Sequence, residues 1–144
     1  MPLSDAELYK GLNKEKFDRY EQEARQAYGI NIVSQTDRTI RNQTKPQWEK
    51  ITKESSIITR NLAKRMDKEP GDPDVQKWIA RQHTWIENFY PASAEVFRGL
   101  GDLYAKNEEF RAFYDQYKPG LADFMQQAMH HYADTTLSEA EKQN

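Results

Sequence analysis

Apolar residues recur along this chain at intervals of three and four, the spacing of one face of an α-helix. Prolines, glycines and capping side chains interrupt the pattern and divide it into a succession of helices. Ser4-Asp5-Ala6-Glu7 has the form of a capping box, serine followed three residues later by glutamate, and predicts a short helix ending near Gly11. Asn13 caps the next predicted helix, in which Phe17, Tyr20, Ala24 and Ala27 share a stripe and Gly29 supplies the stop. Residues 30–43 hold few apolar positions and many of Gln, Asn, Thr and Arg. A helix over 33–41 is the reading there, and this is the segment expected to depend on a partner for its order.

From Thr44 the signals sharpen. Thr44 and Gln47 form a second capping box with Pro46 in the first turn, and Trp48, Ile51, Ile58, Leu62 and Met66 mark a buried stripe. Pro70-Gly71-Asp72-Pro73 is a firm break. Asp72 then caps a helix that carries Val75, Trp78, Ile79, Gln82, Trp85, Ile86 and Phe89 and is expected to end at Pro91. Ser93 caps a helix bearing Val96, Phe97, Leu100, Leu103 and Tyr104. Asn107 caps a short one bearing Phe110, Phe113, Tyr114 and Tyr117. Pro119 opens the last, with Leu121, Phe124, Met125, Ala128, Met129 and Tyr132. Beyond Thr135 the tail is polar and expected to fray. No strand pattern, internal repeat or linker is visible. The reading is a single all-α domain of about six to eight helices with short connections.

Composition narrows the function classes. A chain of 144 residues is long enough for one domain with a real core. Its 37% hydrophobic content contains no membrane span and no signal-peptide run, which fits a cytoplasmic protein. Charged residues make up 31%, but the net charge is only −2, so nothing general argues for nucleic-acid binding. With no cysteine, disulfides, thiolate metal sites and cysteine nucleophiles are all excluded.

Candidate chemistry is sparse. His83 lies far in sequence from His130 and His131, adjacent histidines point to different sides of a helix, and there is no H-E-x-x-H pattern. Neither a metal nor a haem ligand set is assembled, and no cofactor is expected. The carboxylates Glu108 with Glu109, and Glu139 with Glu141, stand in no apolar context that would raise a pKa, and read as solvated faces. No G-x-S-x-G elbow is present, and Arg98-Gly99-Leu100-Gly101 follows no strand, so it is not a phosphate loop. Arg60, Lys64, Arg65 and Lys68 share their helix with Glu54, Asp67 and Glu69 and read as an ordinary charged face. No catalytic residue is therefore named. The aromatic residues are the exception: 3 Trp, 8 Tyr and 6 Phe, most of them between residues 85 and 132. Periodic rings are usually core, and Trp48, Trp78, Phe97, Phe110 and Phe124 are assigned to it. A buried tyrosine wants a partner for its hydroxyl, so a surplus of tyrosine suits a half-wet cleft for a bulky ligand.

Several ordered motifs carry a resemblance. A tryptophan-led helix starts at Trp48, and an H-x-x-x-x-x-F-Y-P run covers residues 83–91. G-L-G-D-L-Y follows at 99–104, F-x-x-x-Y-D at 110–115 and P-G-L-A at 119–122. In this order they resemble the TipAS antibiotic-recognition domain, found as the effector-binding half of MerR-type activators and as a stand-alone drug-binding protein. The resemblance implies a globin-like helical fold over residues 3–135 with a central ligand cleft, and a tail at 136–144. It implies an antibiotic partner, a small molecule or cyclic peptide. Nucleic-acid contact would come from a part other than this domain. It also implies a site made from His83, Phe89, Tyr90, Leu100, Tyr104, Tyr114 and Tyr117, with Tyr28 and Asn31 contributing from a lid. The chain departs from the pattern in three places. Tyr28 replaces a tryptophan, Asn107-Glu108-Glu109-Phe110 stands where members carry D-x-R-F, and Ala92 follows the F-Y-P proline where thiopeptide-binding members use a nearby cysteine. Binding here would be non-covalent. The alternative is a helical interaction module whose apolar surface seats a partner helix or a second copy in a homodimer.

Overall fold

The computed structural model of the chain describes residues 44–142. The helices expected before Thr44, and with them Tyr28, Asn31 and the expected lid, lie outside the described residues. The described residues form α1 (Lys45–Ala63), α2 (Pro73–Ile86), α3 (Ala94–Lys106), α4 (Glu108–Asp115), α5 (Leu121–Tyr132), a π-helical stretch (Ala133–Leu137) and α6 (Ser138–Lys142). The chain divides into two compact units. Of the described residues, the first holds 44–53 with Asn88–Tyr90, and the second Glu54–Glu87 with 91–142.

The helix starts follow the capping side chains. Thr44 N–H donates to Gln47 Oε1 at 2.9 Å and Gln47 N–H to Thr44 Oγ1 at 3.3 Å, closing the expected box. Asp72 accepts from Asp74 N–H at 2.8 Å, Ser93 from Val96 N–H at 3.2 Å, and Asn107 from Glu109 and Phe110 N–H at 3.0 and 3.1 Å. Each satisfies amides that have no partner inside the helix.

The helix ends differ more from expectation. On the α1 stripe, Ile58 and Leu62 are buried while Trp48 and Ile51 are half-buried. Bonds from Arg65 N–H to Leu62 O and from Lys68 N–H to Arg65 O tighten the chain after Ala63, so Met66 lies in turns beyond the helix. α2 stops at Ile86 rather than running to Pro91. Proline disfavours helical backbone in the residue before it and lacks an N–H, so the helix unwinds ahead of it. Phe89 is buried, but from a turn.

Three rings assigned to the core are only half-buried: Trp48, Trp78 and Phe110. Trp78 sits at the edge of its stripe, where cations can reach its ring. Arg81, Arg65 and Lys77 lie 4.6, 5.3 and 5.9 Å from its centroid. Arg65 also binds Asp74 at 2.9 Å, and Arg81 pairs with Glu54. The charged face is thus partly a packed surface.

α5 is the centre of the second unit and packs against α2, α3 and α4. Leu121, Ala122, Phe124, Met125, Ala128 and Met129 are buried along it. Val75 and Ile79 of α2, Phe97 and Leu100 of α3, and Leu62 at the end of α1 are buried as well. The tail after Thr135 is helical as far as Lys142. Thr135 Oγ1 donates to His131 O and Ser138 Oγ to Ala133 O, both at 2.7 Å, where the helix widens to π geometry. Glu141 accepts from Ala94 N–H at 2.8 Å and ties this end of the chain to the start of α3.

Candidate functional site

α3 and α4 bring together part of the expected site as a ladder of rings in the second unit. Tyr104, buried on α3, lies 4.7 Å from Tyr114 and 5.5 Å from Phe110 between ring centroids. Phe113 meets Tyr114 edge-on at 5.1 Å and Tyr117 at 5.9 Å. Five rings therefore run in continuous contact from the buried Tyr104 out to Phe113, which is 44% exposed. Phe113 is the one large hydrophobic residue that exposed among the described residues. The residue pattern placed it on the helix without marking it as a site residue, because a phenylalanine at helical spacing reads as core. Its chance of being noticed lay in α4 itself, whose eight residues carry three rings among Glu108, Glu109, Arg111 and Asp115 and so leave no wide apolar face to bury them all.

The ladder has a polar frame. Asn107 ends α3 and starts α4. Arg111 spans to Asp123 with two bonds, 2.8 and 2.7 Å, and to Ala105 O at 2.9 Å. Asp115, the acid of the F-x-x-x-Y-D run, accepts from Ala122 N–H at 2.9 Å. It thereby caps α5, whose own cap position is Gly120 at φ 91°, a left-handed conformation that suits glycine and offers no side chain. The spacing of Y-D from P-G-L-A is thus a capping arrangement.

The G-L-G-D-L-Y run is likewise structural in its first part. A Cβ on Gly101 would stand 3.3 Å from Met129 Cβ and 3.5 Å from Gln126 Cα, so its hydrogen lets α3 and α5 approach closely. Asp102 Oδ1 accepts from Gln126 Nε2 at 2.9 Å and lies 2.8 Å from His130 Nε2. Burial works against ionising Asp102, but the Gln126 bond and the His130 charge outweigh it and hold the carboxyl below its ordinary value. Leu100 is buried on α3 between Phe97 and Tyr104, and Tyr104 alone of this run joins the ring ladder.

His83 stands apart from the ladder. It is buried on α2, edge-on to Phe97 at 5.2 Å and 5.7 Å from Tyr132. Its Nε2 lies 2.8 Å from Ala92 O, and since a carbonyl only accepts, Nε2 carries the proton. Nδ1 is 3.6 Å from Glu87, and a Glu87 oxygen accepts from Ala92 N–H at 3.5 Å. His83 and Glu87, one helical turn apart, therefore hold the carbonyl and the amide of the residue after F-Y-P. Burial, and then the Glu87 charge, push the Tyr132 phenol up. In the first unit, Phe89 is buried and Tyr90 half-buried, and burial pushes the Tyr90 phenol to about 12.

The ladder of the second unit and its frame offer rings, phenols and the Arg111 pairing with Asp123 and Asp115. Among the described residues no group of three His, Asp or Glu side chains converges as a metal site, and no helix is long and apolar enough to cross a membrane. His130 turns to Asp102, whereas His131 lies against Gly71, so the adjacent pair diverges.

Comparison with known proteins agrees with the motif order. The model of the TipAS antibiotic-recognition domain matches residues 20–132. The chain is 30% identical over 138 residues to the HTH-type transcriptional activator mta of Bacillus subtilis, covering 92% of this chain and 53% of that protein. It is 32% identical over 116 residues to the HTH-type transcriptional activator TipA of Streptomyces coelicolor, covering 78% and 46%. This chain thus spans about half the length of these regulators. A solved structure of TipAS from Streptomyces lividans in complex with nosiheptide matches with a TM-score of 0.76 at 25% identity, covering 94% of this chain and 96% of that one. The all-α architecture, the ordered motifs and the extent of the match together place this chain in the TipAS antibiotic-recognition domain family.

Proposed function

We propose that this chain binds a bulky, largely apolar natural product of the peptide-antibiotic type without catalysing a reaction on it. It would serve as the effector-binding part of a transcription regulator or as a drug-sequestering protein in the cytoplasm. The observation that carries the reading is the ring ladder ending in the exposed Phe113, in a chain of this family. Affinity would come from removing aromatic surface from water, about 25 cal/mol per Å² buried, less the cost of ordering. Tyr104, Tyr114 and Tyr117 are the proposed contacts in the second unit, joined by Phe113, and Phe89 and Tyr90 those in the first. Leu100 would support the face from beneath. His83 would act on the turn after α2. Tyr28 and Asn31 complete the proposed set.

The test is a thermal-shift titration with nosiheptide and other hydrophobic cyclic peptides. A ligand at a hundred times its dissociation constant should add about 2.7 kcal/mol of stability. With no thiol in the chain, intact-mass spectrometry after denaturation should return both ligand and protein unmodified. Absence of any shift, with light scattering showing a dimer that Phe113→Ser dissolves, would favour the interaction module instead.

A further inference from the structure

α4 is held differently from the longer helices around it. None of its eight residues is buried, although it carries Phe110, Phe113 and Tyr114 of the ring ladder. Full burial of a side chain therefore does not fix its position, although Phe110 and Tyr114 are half-buried against Tyr104. Arg111 supplies the alternative. One face of its guanidinium fork makes two parallel bonds to Asp123 in the first turn of α5, at 2.8 and 2.7 Å. The same Nη1 donates at 2.9 Å to Ala105 O, in the last turn of α3, and Nε stands 3.9 Å from Asp115. A single side chain thus joins α4 to the end of one helix and the start of another. The partners are well chosen for this. Carbonyls of a last helical turn lack intrahelical donors, and a carboxylate in a first turn suits the helix dipole. Arginine can serve a carboxylate and a carbonyl together because its donors lie in a rigid plane, whereas a lysine ammonium offers one compact charge.

We propose that Arg111 is the positioning residue of the ring ladder: by pinning α4 between α3 and α5 it sets where Phe113 and Tyr114 stand. The helix is then a panel held by the Arg111 network together with its Asn107 cap and the Asp115 bond to Ala122 N–H, with Phe113 presented outward. Its consequence for binding rests on the proposed function, but its effect on α4 does not.

Arg111 is 43% exposed, so substitution there should leave the core intact. Arg111→Met keeps the apolar stem and removes every donor, and Arg111→Lys restores one charge. Amide hydrogen exchange of the ligand-free protein, read separately over 108–115 and 125–129, is the measurement. Arg111→Met should speed exchange over 108–115 by about tenfold and leave 125–129 within about twofold, with Arg111→Lys between Met and the parent. Asp123→Asn should follow the same direction with a smaller change. Unchanged exchange over 108–115 in Arg111→Met, or 125–129 rising in step with it, overturns the proposal. So does an Arg111→Lys protein no better protected than Arg111→Met. Nosiheptide titrations on the same proteins form a second arm, with affinity expected to fall by about tenfold in Arg111→Met. Failure of the parent to bind nosiheptide would count against the proposed function, and the exchange result would still decide the role of Arg111.

Discussion

α5 and α4 are neighbours built on opposite terms. α5 has six buried residues and a glycine on α3 that lets the two backbones close in. α4 has none buried, and its Asn107 cap, the Arg111 network, the Asp115 bond to Ala122 N–H and ring-to-ring contact are among the ties that hold it. The lesson is a division of labour. Close packing is over-determined and resists change, which makes α5 a scaffold. A helix held by a few polar bonds can leave its rings half in water, which is what a surface for an apolar partner requires.

Substitutions can break this contrast, beginning with the largest effect. Phe97 is fully buried, and Phe97→Ala should cost about 3–5 kcal/mol in urea unfolding, a loss shared by the whole second unit. Gly101→Ala should follow. Its new methyl would press on Met129 Cβ and on the Gln126 backbone, which cannot rotate away, and the helix-propensity gain only partly offsets this. A net loss of about 1–2 kcal/mol is expected from the same measurement. Asn107→Ala removes the acceptor for two amides and should cost about 1 kcal/mol. Exchange should rise first over 108–115 if α4 is the locally weaker element.

The Asp102 node provides a pH test on the scaffold side. Its carboxyl is held below the ordinary value, so its contribution is present above the unfolded value near 3.8 and is lost as pH falls through the lower folded value. Asp102→Asn should therefore be less stable than the parent at pH 7, with the gap narrowing as pH falls below about 4. A gap independent of pH would mean that shape, not charge, ties α3 to α5. Smallest in stability is Phe113→Ser, expected to lie within about 0.5 kcal/mol of the parent by denaturation. Its loss should appear instead in nosiheptide titrations. A large stability loss with unchanged binding would move Phe113 into the fold and out of the site.

Much of this molecule was legible because caps and periodicity act over a few residues. Thr44 with Gln47, Asp72, Ser93 and Asn107 all start helices where their side chains said they would. The motif order likewise pointed to the family that the comparisons show. Helix ends were harder, since α2 stops at Ile86 although its apolar spacing continues to Phe89. Of the residues named for the site, Tyr104, Tyr114 and Tyr117 fall in one ladder. His83 is instead occupied with the backbone of Ala92 and the rings of Phe97 and Tyr132.

The sequence by itself determined the helical class, the starts of the helices and the stripe that α5 buries, because each depends on neighbours three or four positions away. Only the tertiary structure decided what the rings and charges do. Periodicity puts Phe97 and Phe113 on helices alike, yet one is fully buried and the other 44% exposed. The difference lies in which helix packs over each ring. Likewise nothing local marks Arg111, since its partners Ala105 and Asp123 come from two other helices and meet it only when the chain has folded.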